Sequence, residues 1–346
     1  MKAARRPLLI AAAATAALTA TVWLWSHNAQ PSQQDIQTMK TFTENMTTHC
    51  VGRFLIDAPK GADISQGNYG FQIAEIKPIQ ESAQPVEDRL RRLDRELAAR
   101  VAAQATWKSG YGKQLDPAQA FGPRPDVRSV WYGKPDSDSK HSNQMDGFVV
   151  RPGGTYVFET SAYDQTHVKE FNDFLTEIAP TLSVRENSSI PTVAGYCMNG
   201  GFIAMNPKRG ESTGWGWDLP GRPDVSFGFG TTTNDDKVRM GQLDQEGATL
   251  KDMGNLVKDM KTIRKRRFDL NGVAAQEWSV EFTDVPQYEF SVEIPGAPND
   301  NARPFIRMSM RVGDAQKKIK PSLSKGEAIA LWDAVIQSLR LRPGAV

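Results

Sequence analysis

The chain has 346 residues, 39% of them apolar and 24% charged, a balance that excludes a disordered chain, a collagen and a polytopic membrane protein. The formal net charge is +2. Lys2, Arg5 and Arg6 supply three of the cations at the extreme N-terminus, so the remainder is near neutral and lacks the broad positive field that would grip nucleic acid.

Those cations precede an apolar run from Pro7 to Trp25, the order of an export signal. At about 18 residues the run is near the lower limit for crossing a bilayer. Trp23 and Trp25 stand where an interfacial aromatic belt would lie. Residues 1–25 therefore read as an export signal or membrane anchor, with cleavage after Ala20 or Ala29 if it is removed. No Cys follows the run, which excludes a lipoprotein anchor. The positive flank stays in the cytoplasm, so residues 35–346 are expected outside it. Residues 26–39 are polar and read as a tether.

Two cysteines follow, Cys50 and Cys197. An even count in an oxidising compartment admits one disulfide. It would close a loop of about 147 residues and stabilise the fold by up to ~5 kcal/mol. Two buried free thiols are the alternative.

From residue 40 onward the chain reads as one unit written twice. Cys50–Pro59 and Cys197–Pro207 are each a Cys, a Gly and a short apolar strand ended by Pro. A helical periodicity follows in each half: Val86, Leu90, Leu93, Leu97 and Val101, then Leu250, Met253, Leu256, Val257, Met260 and Ile263. Strands are predicted at 127–132, 148–151 and 155–161, and again at 267–270, 274–282, 288–294 and 305–312. Asn271-Gly272 marks a hairpin in the second set. Each half closes with a helix, carrying Phe171, Phe174, Leu175 and Ile178 or Leu331, Trp332, Val335 and Ile336. A short basic strand ends each, Leu182–Arg185 and Leu339–Arg342, and the two align without a gap.

The expected fold class is α+β, two similar domains from internal duplication, each an antiparallel sheet packed with helices. The N-terminal domain spans 40–185, a polar linker 186–191, and the C-terminal domain 192–346.

The sequence motifs of nucleophilic and metal-assisted catalysis are missing; a glycosidase-style pair of carboxylates drawn from distant positions would leave no such motif, and no pair is marked out. There is no Gly-x-Ser-x-Gly elbow. Of the four histidines, His27 falls in the tether, His49 precedes a strand, His141 falls in a polar loop and His167 starts a helix. No His-Glu-x-x-His, paired-Cys or calcium-loop spacing occurs, so neither a metal nor another cofactor is expected. Asp136, Asp138, Asp235 and Asp236 read as loop and capping residues. The stretch Gly228–Thr233 reads as a strand with small residues on one face. Gly214-Trp-Gly-Trp217 reads as a loop. There Trp215, Trp217 and the nearby Arg222 have the composition of a binding hot spot, and indoles folded over the core are the alternative. Lys258, Lys261, Arg264, Lys265, Arg266 and Arg267 form a basic cluster at the end of the second long helix. The cluster suits the helix terminus, an acidic partner or a membrane headgroup.

Thr47-Thr-His-Cys-Val-Gly-Arg-Phe-Leu-Ile-Asp57 and Gly195-Tyr-Cys-Met-Asn-Gly-Gly-Phe-Ile203 resemble the opening strands of the two domains in immunity proteins paired with type VI secretion lipase effectors. The likeness runs over residues 40–343. It implies a periplasmic, non-catalytic protein that binds the producer's own lipase effector. In that family two α+β domains clasp the lid region of the lipase and keep substrate from its site. Trp215, Trp217, Arg222, Arg264, Lys265, Arg266 and Arg267 are the contact candidates, chosen on composition alone. An envelope enzyme or envelope-ligand binding module is the alternative function.

Overall fold

The computed structural model describes residues 29–65, 67–80, 84–104, 117–133, 143–207, 210–233, 241–245, 259–283 and 286–346. The apolar run and its cations, His27, His141, Asp136, Asp138, Asp235, Asp236 and Lys258 lie outside them, as do residues 250–258 of the predicted second helix. Among the described residues, no helix is long and apolar enough to cross a membrane.

The segment read as a tether carries structure. Ser32 starts helix α1 (Gln33–Thr43) with a reciprocal capping box: its hydroxyl accepts from the Asp35 amide, and the Asp35 carboxylate accepts from the Ser32 amide. Upstream, Ala29 is fixed by a main-chain hydrogen bond to Ile263. Hairpin β1 (Met46–Val51) and β2 (Phe54–Pro59) follows, then the short strand β3 (Asp63–Ile64).

The next elements are β4 (Asn68–Phe71), β5 (Ala74–Gln80), α2 (Val86–Gln104), β6 (Gln119–Arg124), β7 (Val127–Gly133), β8 (Asn143–Arg151), β9 (Gly154–Ser161), α3 (Gln165–Ile178) and β10 (Leu182–Val184). Then come β11 (Tyr196–Met198), β12 (Gly201–Ile203), β13 (Glu211–Leu219), β14 (Arg222–Thr232), β15 (Met260–Leu270), β16 (Val273–Phe282), β17 (Gln287–Ile294), β18 (Phe305–Val312), α4 (Lys325–Gln337) and β19 (Arg340–Leu341). The fold is α+β, mostly antiparallel sheet with four described helices.

One thirteen-stranded sheet runs through both halves in the order β15-β16-β17-β18-β14-β13-β4-β5-β9-β8-β7-β6, with β3 beside β13. Its midpoint is the β13–β4 pairing, from Glu211 opposite Phe71 to Gly214 opposite Asn68. Counted outward from that seam, the two sides have the same connectivity: β4, β5, β9, β8, β7, β6 on one side and β13, β14, β18, β17, β16, β15 on the other.

The helical prediction fails for Met260 and Ile263, which lie on β15. Pairing with β16 supplies the backbone partners, with a bulge between Thr262 and Arg264; Arg264 and Arg266 then face Glu277 and Asp333, and Lys265 and Arg267 face the other side of the sheet. The basic cluster from 261 to 267 therefore lies on a strand at the sheet edge and not at a helix terminus.

Packing crosses between the two halves of the chain. Hairpin β1–β2 buries Val51, Phe54, Ile56 and Ala58 in the core of the second half, with Trp215, Phe229, Met308 and Trp332. Tyr196, Met198 and Ile203 from β11 and β12 enter the core of the first half, with Phe71, Phe158, Phe171 and Leu175. The closing strands repeat the exchange: β10 pairs with β12, and β19 pairs with β2. Where the hairpins pass, Cys50 and Cys197 form a disulfide inside a small cluster with Leu55 and Phe202.

Candidate functional site: a glycine-floored trough across the sheet

Strand β13 alternates large and small residues, and period two sends them to opposite faces. Trp215 and Trp217 point into the core, 4% and 2% exposed. Trp217 stacks on its cross-strand partner Phe227 with ring centroids 4.7 Å apart, and His49 lies 5.2 Å from the Trp215 ring. The two indoles are thus core residues on a strand and not a loop-borne contact surface. The Gly-Trp-Gly-Trp pattern is a period-two strand pattern whose glycines make it resemble a loop.

Those glycines make the other face. Gly216 lies opposite Gly228, and Gly214 opposite Gly230. The rows continue across β18 and β17: Gly228 pairs with Ser309 and Ser309 with Ser291, while Gly230 pairs with Arg307 and Arg307 with Glu293. On the far side Gly214 meets Asn68 of β4. A side-chain-poor floor therefore extends across the seam between the halves.

Two recesses of about 470 and 600 Å³ lie over this floor and share Gly228, Arg307 and Ser309 along their walls. Together they form one trough. Gly216 is required by the fold, since a Cβ there would stand 2.6 Å from the Phe227 carbonyl. At Gly230 the nearest atom would be 3.6 Å away, an ordinary contact. Nothing local demands glycine at Gly230.

Charge borders the floor. Arg307 is 3.8 Å from Glu293, which also accepts a 2.7 Å hydrogen bond from the Gln242 amide. Burial pushes the Glu293 carboxyl up, against the pull of that amide and of Arg307. Lys265 sits over Trp278, an indole that lines the first recess. Arg267 pairs with Asp244 at 2.7 Å.

The remaining candidates separate by burial. Arg264 is fully buried and pairs with Asp333 and Glu277, while its Nε and Nη2 donate to the Ala29 carbonyl at 3.1 and 3.0 Å. It holds the N-terminal segment to β15. Arg266 lies on the same side, 2.6 Å from Glu277. Arg222 donates to the Ser322 carbonyl at 2.6 Å, away from the trough. Of the sequence candidates, Trp215 of β13 is on the wall of the second recess and Lys265 reaches the first through Trp278, while Arg267 lines neither. Arg307, Ser309, Gly214 and Gly216 are not singled out by the sequence, which marks Gly228 and Gly230 only as the small face of a strand; the period-two glycines on both strands are the signal.

His49 is part-buried, and burial followed by the charge of Arg185 pushes its imidazole below the ordinary range. His167 stands in the first turn of α3, where its amide donates to the capping Asp164 carboxylate at 3.0 Å. Among the described residues, no group of three His, Cys, Asp or Glu is placed to hold a metal ion.

Residues 189–344 match the family described as the Tle cognate immunity protein 4 C-terminal domain. The apo immunity protein TplEi of the T6SS from Pseudomonas aeruginosa is similar over 86% of this chain and 97% of its own, with a TM-score of 0.68 and 21% identity. The same protein complexed with an "L" peptide gives 0.66 at 22% identity, over 87% of this chain and 99% of that one. The structure of a Tle4–Tli4 complex contains a chain similar over 87% of this one and 99% of its own, with a TM-score of 0.68 and 20% identity. At these identities the likeness shows the fold. No curated protein matches the chain.

Proposed function

We propose, on the premise that residues 189–344 match the Tle cognate immunity protein 4 C-terminal domain, that this chain is an immunity protein which binds and silences a lipase effector of a type VI secretion system. The trough is the observation that carries the reading. A floor of glycine and serine lets a partner's backbone or aromatic side chains approach the sheet closely. It spans the seam, so an inserted element touches both halves at once. Arg307, Arg311 and Glu289 on its walls, with Lys265 over Trp278, give it a polar, charged rim, the arrangement of a protein interface with a close-packed centre.

Inhibition of this kind is non-catalytic. A lethal enzyme demands a tight complex, which needs about 800 Å² of surface from each partner. The trough supplies its centre, and steric coverage of the lipase lid keeps substrate out. The chain acts in the periplasm, where the apolar segment 7–25 delivers it as a cleaved signal or retained anchor. The matching strand order of the two sides reflects an internal duplication, followed by exchange of the opening hairpins.

The test is co-expression with the partner lipase directed to the periplasm. Cells survive when the chain is present and lyse without it, and the two proteins co-purify. Survival without complex formation, or lysis despite abundant folded chain, would refute the reading.

A further inference from the structure

The chain is tied into the fold just ahead of the Ser32 cap, at one of the two positions where the sequence admits removal of the leader. Ala29 meets the edge strand β15 through its main chain. Its amide donates to the Ile263 carbonyl at 3.3 Å, and its carbonyl accepts from Nε and Nη2 of Arg264 at 3.1 and 3.0 Å. Its methyl packs against the core of the second half.

Arg264 is fully buried. Its Nη1 reaches Asp333 of α4 at 2.5 Å and Glu277 of β16 at 3.5 Å. One guanidinium therefore joins β15, β16, α4 and the N-terminal segment. The Ala29 carbonyl is the acceptor for Nε, and a buried guanidinium N–H left without an acceptor is costly. Downstream the segment is fixed again. The Asp35 carboxylate lies against the start of α4, where a Cβ on Gly326 would collide with it, and Met39 enters the core beside α4. Residues 29–39 thus form one strap, held at Ala29 and again along α1.

The two admitted cuts fall after Ala20 and after Ala29. A cut after Ala29 removes the amide and the carbonyl of the tie together. It also leaves a new ammonium on Gln30, one residue from the position that faced a buried guanidinium, so like charges are brought near each other. A cut after Ala20 leaves Ala29 an ordinary internal residue.

We propose that Ala29 is a structural part of the working protein, and that removal of the leader spares the Ala29–Gln30 bond and falls after Ala20. The place of the cut rests on the export reading given above; the role of Ala29 as acceptor for Arg264 rests on the fold alone.

The test has two arms. The full chain is expressed in a bacterial host with a periplasm, recovered from the envelope fraction, and its first residue is read from the intact mass. A first residue at or before Ala29 is expected, and Gln30 overturns the proposal. In the second arm, purified chains beginning at Thr21, His27 and Gln30 are compared by thermal unfolding; the first two retain every described residue. Those two should melt together and the third about 5 °C lower. Arg264→Gln should lower the melting temperature of the first two and change the Gln30 chain less, since that chain has already lost the acceptor. Equal melting of all three chains overturns the role of Ala29. A chain found only in the cytoplasm counts against the export reading, and the second arm then decides the strap by itself.

Discussion

Arg185 and Arg342 hold matching posts, one just beyond β10 and the other just beyond β19, and each buries its guanidinium in a cage of main-chain carbonyls. Arg185 donates to Met198 at 3.0 Å, to Cys50 and Gly201 at 3.3 Å, and to Glu186 and Asn187 at 3.0 and 3.1 Å. Arg342 donates to Pro191, Val193 and Gly195 at 2.7 to 2.8 Å. Burial lowers the proton affinity of both, yet the carbonyls compensate. These cages lock the strand exchange.

Arg185→Met should therefore cost about 3 kcal/mol, because several buried carbonyls lose their donor together. Arg185→Lys should recover little of it, since an ammonium cannot reproduce the planar fork. Urea unfolding of the three proteins checks both expectations, and equal stability of wild type and Arg185→Met would contradict them.

The Cys50–Cys197 bridge spans 147 residues of chain. The paired Cys50→Ser and Cys197→Ser variant should lose about 4–5 kcal/mol if unfolded-chain entropy governs. Wild-type protein unfolded in reductant should fall to the same stability, whereas the variant should be indifferent to reductant.

Substitution in the trough separates binding from folding. Gly230 has room for a side chain, so Gly230→Arg should keep its melting temperature while the rim-to-floor fit is lost. Partner affinity should fall by about 2 kcal/mol or more. Calorimetry with the lipase and parallel thermal unfolding distinguish this from simple instability.

Trp217 and Arg267 should behave oppositely. Trp217→Ala empties a core site and should cost about 3–5 kcal/mol. Arg267 is exposed and its pair with Asp244 is at the surface, so Arg267→Ala should change stability by no more than about 1 kcal/mol. Any defect of that variant should appear in partner binding.

His49 predicts a pH dependence. Its folded-state proton affinity lies below the ordinary value of 6.5, so the unfolded chain binds the proton more readily. The stabilisation is full above 6.5 and is lost as pH falls from there through the lowered folded value. His49→Gln should flatten unfolding free energy against pH in that window, and an unchanged slope would count against it.

The chain's strands, closing helices and α+β class were legible in the sequence because each rests on local periodicity, as with Phe171 and Phe174 or Val335 and Ile336. Period two was also present in Gly214–Trp217, where the glycines obscured it, while across 260–267 four consecutive cations and a bulge left no alternation to read. What the sequence could not determine is which half each hairpin packs against. Phe54 and Tyr196 are apolar strand residues that satisfy either core, and the choice is made by the β2–β19 and β10–β12 pairings, far apart along the chain. The trough has the same origin. A glycine declares freedom in the sequence, and becomes a floor only when strands from residues 68, 214, 228 and 309 are laid side by side.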